Sequence, residues 1–198
     1  MQTIDLAPAA SATADVVRGL TDDDLARPTP CPAYTVADLV DHVGGLCVAF
    51  TAAARKTPLG EEGGAPSGDG ARLEPGFRDR VAGALDELAA AWTDPAAYEG
   101  MTQAGPVQLP GFVAAQVALN EVVVHGWDLA VATGQPYATD PTAVATCRGF
   151  VDSFEPPEGG AADDGGLFGP PVAVPDDAPP LHRLVGAAGR DPHWTPAG

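Results

Sequence analysis

Apolar positions in this chain recur at spacings of three and four residues, the period of helices that bury one face. Val36, Leu39, Val40, Val43, Leu46, Cys47 and Phe50 form the clearest series. It begins at Thr35-Val36-Ala37-Asp38, a capping box in which a Thr and an acid three residues later satisfy one another's backbone groups, and it predicts a helix running to about Arg55. Phe77, Val81, Leu85 and Leu88 mark another helix, ending near Trp92-Thr93-Asp94-Pro95. A further one starts near Pro110, a favourable first-turn residue, and runs through Val117, Leu119 and Val124 to Ala132, where Gly134 and Pro136 stop it. That stretch is apolar almost all round, as expected of the most buried helix. The β-branched run Val122-Val123-Val124 also admits a strand, but length and the alanines upstream favour helix.

Weaker patterns complete the outline. An Ala-rich stretch from Leu6 to Leu20, anchored by Val16, Val17 and Leu20, predicts a first helix. Thr21-Asp22-Asp23-Asp24-Leu25 offers a second start, a Thr cap followed by acids. Pro28, Pro30 and Pro32 then force an extended connector. Asp140-Pro141 reads as cap and first residue of a fifth helix with Val144, Cys147, Val151 and Phe154 on its face, and Leu181, Leu184 and Val185 suggest a last short helix before Gly189. The Gly-, Pro- and acid-rich segment from Thr57 to Gly76, which holds Glu61, Glu62 and Asp69, reads as a flexible loop. Pro95 to Gln108 reads as loop and Glu155 to Pro180 as irregular; no strand alternation and no internal repeat stand out. The expected architecture is all-α: a four-helix bundle over residues 1–155 with an extra short helix, and an irregular Pro/Gly-rich C-terminal arm over 156–198 packed on it.

Composition narrows the function classes. With 45% hydrophobic residues in 198, the chain can bury the core of one domain. A formal charge of −17, with Lys56 the only lysine, disfavours nucleic acid and anionic membrane as partners and says little more; a small-molecule substrate is the expected partner, with a homodimer open. No apolar run approaches about 18 residues, the length of a membrane span. Met1-Gln2-Thr3-Ile4-Asp5-Leu6 lacks the basic start and apolar core of a signal peptide. Cys31, Cys47 and Cys147 have no metal-finger spacing and fit a reducing cytoplasm.

The chemistry concentrates in Glu121 and His125. Four residues apart on a helix, their Cβ atoms lie roughly 6 Å apart on one face, and a carboxylate among valines needs a neutralising partner. They read either as two ligands of one metal ion, with Asp128 a turn on holding the spare histidine nitrogen, or as an ion pair in the core. His42 lies on the border of its helix's apolar arc, about 60° from Leu39, with Asp38 one turn before. Alone it reads as a structural histidine; across a bundle it can meet the Glu121/His125 pair. Two imidazoles and a carboxylate leave coordination positions open for water or substrate, and suit zinc as well as Fe(II) or Ni(II). Tyr34 and Trp127 are candidates to line a pocket, against the commoner role of aromatic core. Cys31, inside a proline turn with no base beside it in sequence, reads as packing rather than nucleophile, and Cys47 and Cys147 as small core residues. His182 and His193 lie in the arm, outside these patterns.

Thr29-Pro30-Cys31-Pro32-Ala33-Tyr34-Thr35-Val36-Ala37-Asp38-Leu39-Val40-Asp41-His42 resembles the signature of the DinB-like superfamily. More narrowly it resembles the actinobacterial metal-binding group related to the N-terminal domain of mycothiol-dependent maleylpyruvate isomerase. His125-Gly126-Trp127-Asp128-Leu129-Ala130-Val131-Ala132-Thr133-Gly134-Gln135-Pro136 is similar to that group's second signature. Leu167-Phe168-Gly169-Pro170-Pro171-Val172, with Pro175-Asp176-Asp177-Ala178-Pro179, looks like its C-terminal arm. The resemblance implies a DinB-like four-helix bundle with a divalent metal, usually taken as zinc, held by His42, Glu121 and His125. It implies mycothiol as a cosubstrate of an S-transferase or isomerase. The isomerase carries a second C-terminal domain where this chain has its arm, which places maleylpyruvate isomerisation behind thiol chemistry in general. A thiol-independent hydrolase, lyase or cyclase of specialised metabolism, and a non-catalytic metal or ligand binder, are the alternatives.

Overall fold

The computed structural model describes residues 3–57, 59, 67–153 and 168–196. Helix α1 (Ala7–Gly19) buries Ala9, Ala10, Thr13, Ala14, Val16 and Val17. The Thr21 start signal forms a single 3-10 turn, Asp22–Asp24, in which the Thr21 backbone N–H and hydroxyl both donate to Asp24 Oδ2 (2.9 and 2.7 Å). The proline connector follows and pairs Pro28 with Thr35. Helix α2 (Val36–Ala54) begins at the expected capping box: Thr35 N donates to Asp38 Oδ2 at 3.0 Å, and Asp38 N donates to Thr35 Oγ1 at 3.3 Å. Helices α3 (Phe77–Ala91) and α4 (Gly111–Thr133) follow. α1 and α2 each pack against both α3 and α4. With neighbours on several sides, α4 buries Val122, Val123 and Val124 in mid-helix, which excludes the strand reading and explains its lack of a polar face.

Three expectations are corrected. First, the segment between α3 and α4 is not all loop. It holds a 3-10 turn (Pro95–Tyr98) and an antiparallel hairpin of β1 (Met101–Ala104) and β2 (Val107–Pro110), with Met101 opposite Pro110 and Ala104 opposite Val107. Four-residue strands are too short to display a period of two, and Thr102 is the single fully buried residue of the ribbon. Its hydroxyl donates to the Ala53 carbonyl and so ties the hairpin to the end of α2.

Second, the part of the 57–76 segment that is described is anchored rather than loose. Residues 70–72 form a 3-10 turn on α2, where Gly70 N donates to Asp38 Oδ1 (2.7 Å) and Asp69 N to Asp41 Oδ2 (3.0 Å). Arg72 pairs with the same Asp41 carboxylate at 2.6 Å. Glu61 and Glu62 lie outside the described residues.

Third, α2 does meet the length and mean hydropathy of a membrane span, because Asp38 and Asp41 are its only charges. Over half of it is buried inside the bundle, as in the core helix of a folded domain.

Helix α5 (Pro141–Asp152) is capped by Asp140, whose Oδ1 accepts from Thr142 N at 2.7 Å and Ala143 N at 3.3 Å. It buries the expected Val144, Cys147 and Val151, together with Phe150. Helix α6 (Pro180–Ala187) packs on α5. Phe154, Leu167 and the stretch between them lie outside the described residues.

Candidate metal centre

His42 lies in the second turn of α2, and Glu121 and His125 lie one turn apart in the middle of α4. Because α2 packs along α4, the three side chains converge, and their ligand atoms all lie within 4.8 Å of one another. His125 Nε2 is 2.9 Å from Glu121 Oε2, and His42 Nε2 is 3.9 Å from the same oxygen. The two imidazoles meet edge to face with centroids 5.1 Å apart. None of the three side chains is more than 16% exposed, so the cluster is largely, but not wholly, shut off from solvent. Among the described residues it is the one group of three or more His, Cys, Asp or Glu side chains arranged to hold a metal ion.

The electrostatics follow from this packing. Burial alone would raise the Glu121 pKa; the adjacent imidazoles of His125 and His42 outweigh it and hold the carboxyl far below its usual range. For His125, burial would lower the pKa, but the Asp128 and Glu121 carboxylates prevail and raise it to about 9. Asp128, fully buried, accepts from His125 Nδ1 at 3.0 Å on its Oδ2. That bond leaves Nε2 as the nitrogen presented to Glu121, the geometry in which a carboxylate behind a histidine orients it toward a metal.

The remaining residues singled out from sequence divide. Tyr34 stacks on His42 with centroids 5.1 Å apart and 33° between ring planes, and its hydroxyl accepts from Gly68 N. Asp38 is committed elsewhere: its two oxygens are taken by Thr35 and by Gly70 N, so it holds the start of α2 and the 67–72 segment rather than the cluster. Trp127, two residues beyond His125 and so roughly 200° around the helix, is buried on the other side of α4. Burial pushes the Cys31 thiol up against the pull of Arg190, and pushes Cys47 and Cys147 up to about 12, in keeping with packing roles. His182 and His193 pair with one another, ring centroids 6.3 Å apart.

Sequence reasoning missed Arg190. Its Nη2 donates to Asp128 Oδ2 at 3.3 Å, so a residue of the C-terminal segment reaches the carboxylate behind His125. Only its position after Gly189 at the end of an amphipathic helix is visible locally; nothing in sequence connects it with a residue 62 positions earlier.

A helical bundle in which two neighbouring helices bring two histidines and a glutamate to one point defines the class: a DinB-like helical bundle with a candidate metal centre. The chain belongs to the family described as mycothiol maleylpyruvate isomerase N-terminal domain, whose model matches residues 6–130 and so takes in α1 to the greater part of α4 and the whole His42/Glu121/His125 cluster. Two proteins of Mycobacterium tuberculosis, from strains CDC 1551 / Oshkosh and ATCC 25618 / H37Rv and both described as uncharacterized, are each 30% identical over 192 residues, spanning 92% of this chain and 93% of their own length. No solved structure matches.

Proposed function

We propose that this protein is a divalent-metal enzyme that uses a low-molecular-weight thiol of the mycothiol type, in S-transfer to an electrophilic small molecule or in thiol-assisted isomerisation. The observation that carries this reading is the convergence of His42, Glu121 and His125, with Asp128 behind His125, in a chain of this family.

The donor set fits a metal. Ligand atoms about 2.1 Å from a tetrahedral zinc lie ~3.4 Å from each other; the 2.9 and 3.9 Å separations found here bracket that value. Two imidazoles and a carboxylate suit zinc, and they accommodate Ni(II) or Fe(II) as well. A bound divalent ion would supply Lewis acidity, lowering the pKa of a thiol that joins it.

The protein's own residues do the rest. His125, held by Asp128, and His42, stacked on Tyr34, present one nitrogen each. Glu121 would cancel one charge of a divalent ion held here, leaving a single positive charge that would favour a thiolate over a neutral thiol. The partial enclosure excludes bulk water and strengthens these interactions. Three free cysteines accord with work in a reducing cytoplasm.

The test is to incubate the zinc-loaded protein with mycothiol and a panel of electrophiles, following adduct formation by mass spectrometry. Adducts above the background of His42→Ala are expected. No adduct above that background overturns the thiol reading, and turnover without thiol that disappears in Glu121→Gln replaces it with a metal hydrolase or lyase.

A further inference from the structure

The carboxylate behind His125 is itself held from outside the bundle. Asp128 is fully buried in α4, and its Oδ2 receives two donors, His125 Nδ1 at 3.0 Å and Arg190 Nη2 at 3.3 Å. An imidazole that gives Nε2 to a metal is neutral. A carboxylate with that ring as its sole partner would be buried without a counter-charge, an arrangement proteins avoid. The guanidinium, charged at every accessible pH, supplies the counter-charge.

Its delivery is built into the end of α6. Gly189 N donates to Gly186 O and Arg190 N to Val185 O, at 3.0 and 2.9 Å, which turns the chain sharply where the helix stops. The turn needs glycine twice over: Gly189 has φ +84°, and a Cβ there would meet the Gly169 backbone at 2.8 Å. Arg190 Nη1 then donates to Ala188 O at 2.9 Å, which aims the side chain, only 12% exposed, at Asp128.

We infer that Arg190 is a positioning residue for the metal centre: by fixing Asp128 it sets the orientation of the His125 ring, so that the C-terminal segment, beyond the region matched by the family model, completes the site. The inference rests on the metal reading of the cluster for its purpose but not for its geometry.

The experiment compares full-length Arg190→Met, Arg190→Lys and, as a control that loosens α6 without touching a charge, Val185→Ala. Two quantities are read: zinc affinity by competition with a chromogenic chelator, and the slowly exchanging Nδ1–H resonance of His125 in the metal-free protein by nitrogen-15 NMR. Arg190→Met is expected to weaken zinc binding about 10–100-fold, the usual effect of losing a residue behind a ligand, and to abolish the protected resonance. Arg190→Lys should retain part of both and Val185→Ala all of both. Wild-type affinity and an intact resonance in Arg190→Met overturn the inference, as does equal loss of both in Val185→Ala. If the wild type binds no zinc yet the resonance still collapses in Arg190→Met, the metal reading fails and the positioning role stands.

Discussion

His125 Nδ1 lies 3.0 Å from Asp128 Oδ2, less than one turn on along the same helix, so a candidate ligand and the group that orients it come from one rigid element. Replacing Asp128 with Asn keeps the shape but removes the charge. The variant should bind zinc about 10–100-fold more weakly. It also leaves Arg190 buried without its partner and should lose about 3 kcal/mol of stability. Chelator competition reads the first effect and urea denaturation of the metal-free protein the second.

The pH response follows from His125 and Glu121. The His125 pKa rises from 6.5 to about 9 on folding, so its stabilising contribution is complete below pH 6.5 and is lost as the pH climbs through 9. The Glu121 pKa falls from 4.5, so its contribution is present above pH 4.5 and fades as the pH drops below it. The metal-free protein should therefore melt at lower temperature at pH 9.5 than at pH 6.5, and His125→Gln should flatten that decline.

If His125 Nε2 ligates a metal as proposed, metal and proton compete for it. Zinc affinity should rise about tenfold per pH unit from neutrality toward pH 9, and binding at pH 7 should release about one proton from this residue. Calorimetry in buffers of different ionisation enthalpy measures the proton count. A pH-independent affinity would contradict the charge state assigned to His125.

At Gly126, between His125 and Trp127, Thr13 of α1 and Tyr137 pack against α4. A Cβ there would collide with the buried Thr13 hydroxyl and would lie 2.6 Å from the Tyr137 hydroxyl. Gly126→Ala gains up to ~1 kcal/mol of helix propensity but should lose about 1–3 kcal/mol to overpacking. A melting temperature lower by a few degrees is the expected net result.

Asp38 separates the helix-start role from the site. Asp38→Ala removes a capping partner and the anchor of Gly70, and should cost about 1–2 kcal/mol. Zinc affinity should stay within about twofold of wild type, well short of the loss expected of a residue behind a ligand.

How much of this was legible beforehand differs by element. α2 and α4 could be read because a capping box, a three-and-four spacing and a Gly stop are local signals, and Glu121 and His125 lie on one face by arithmetic alone. His42 could be placed only on the edge of an apolar arc; its meeting with α4 depends on which helices pack, which periodicity does not encode, and the family resemblance supplied that step. The hairpin escaped because its single buried residue, Thr102, gives no pattern. The anchoring of residues 67–72 escaped because it rests on backbone N–H groups meeting Asp38 and Asp41. Arg190 escaped because a contact between residues 128 and 190 leaves no trace in either neighbourhood.

Whether His42, Glu121 and His125 hold one metal ion is decided by elemental analysis of the purified protein beside His42→Ala, Glu121→Gln and His125→Ala. About one divalent ion per wild-type chain is expected, less than about half in each variant, and a melting temperature that chelator lowers in the wild type alone. A wild type that holds no ion after zinc loading and melts alike with and without chelator, or variants that keep a full complement of metal, would contradict it.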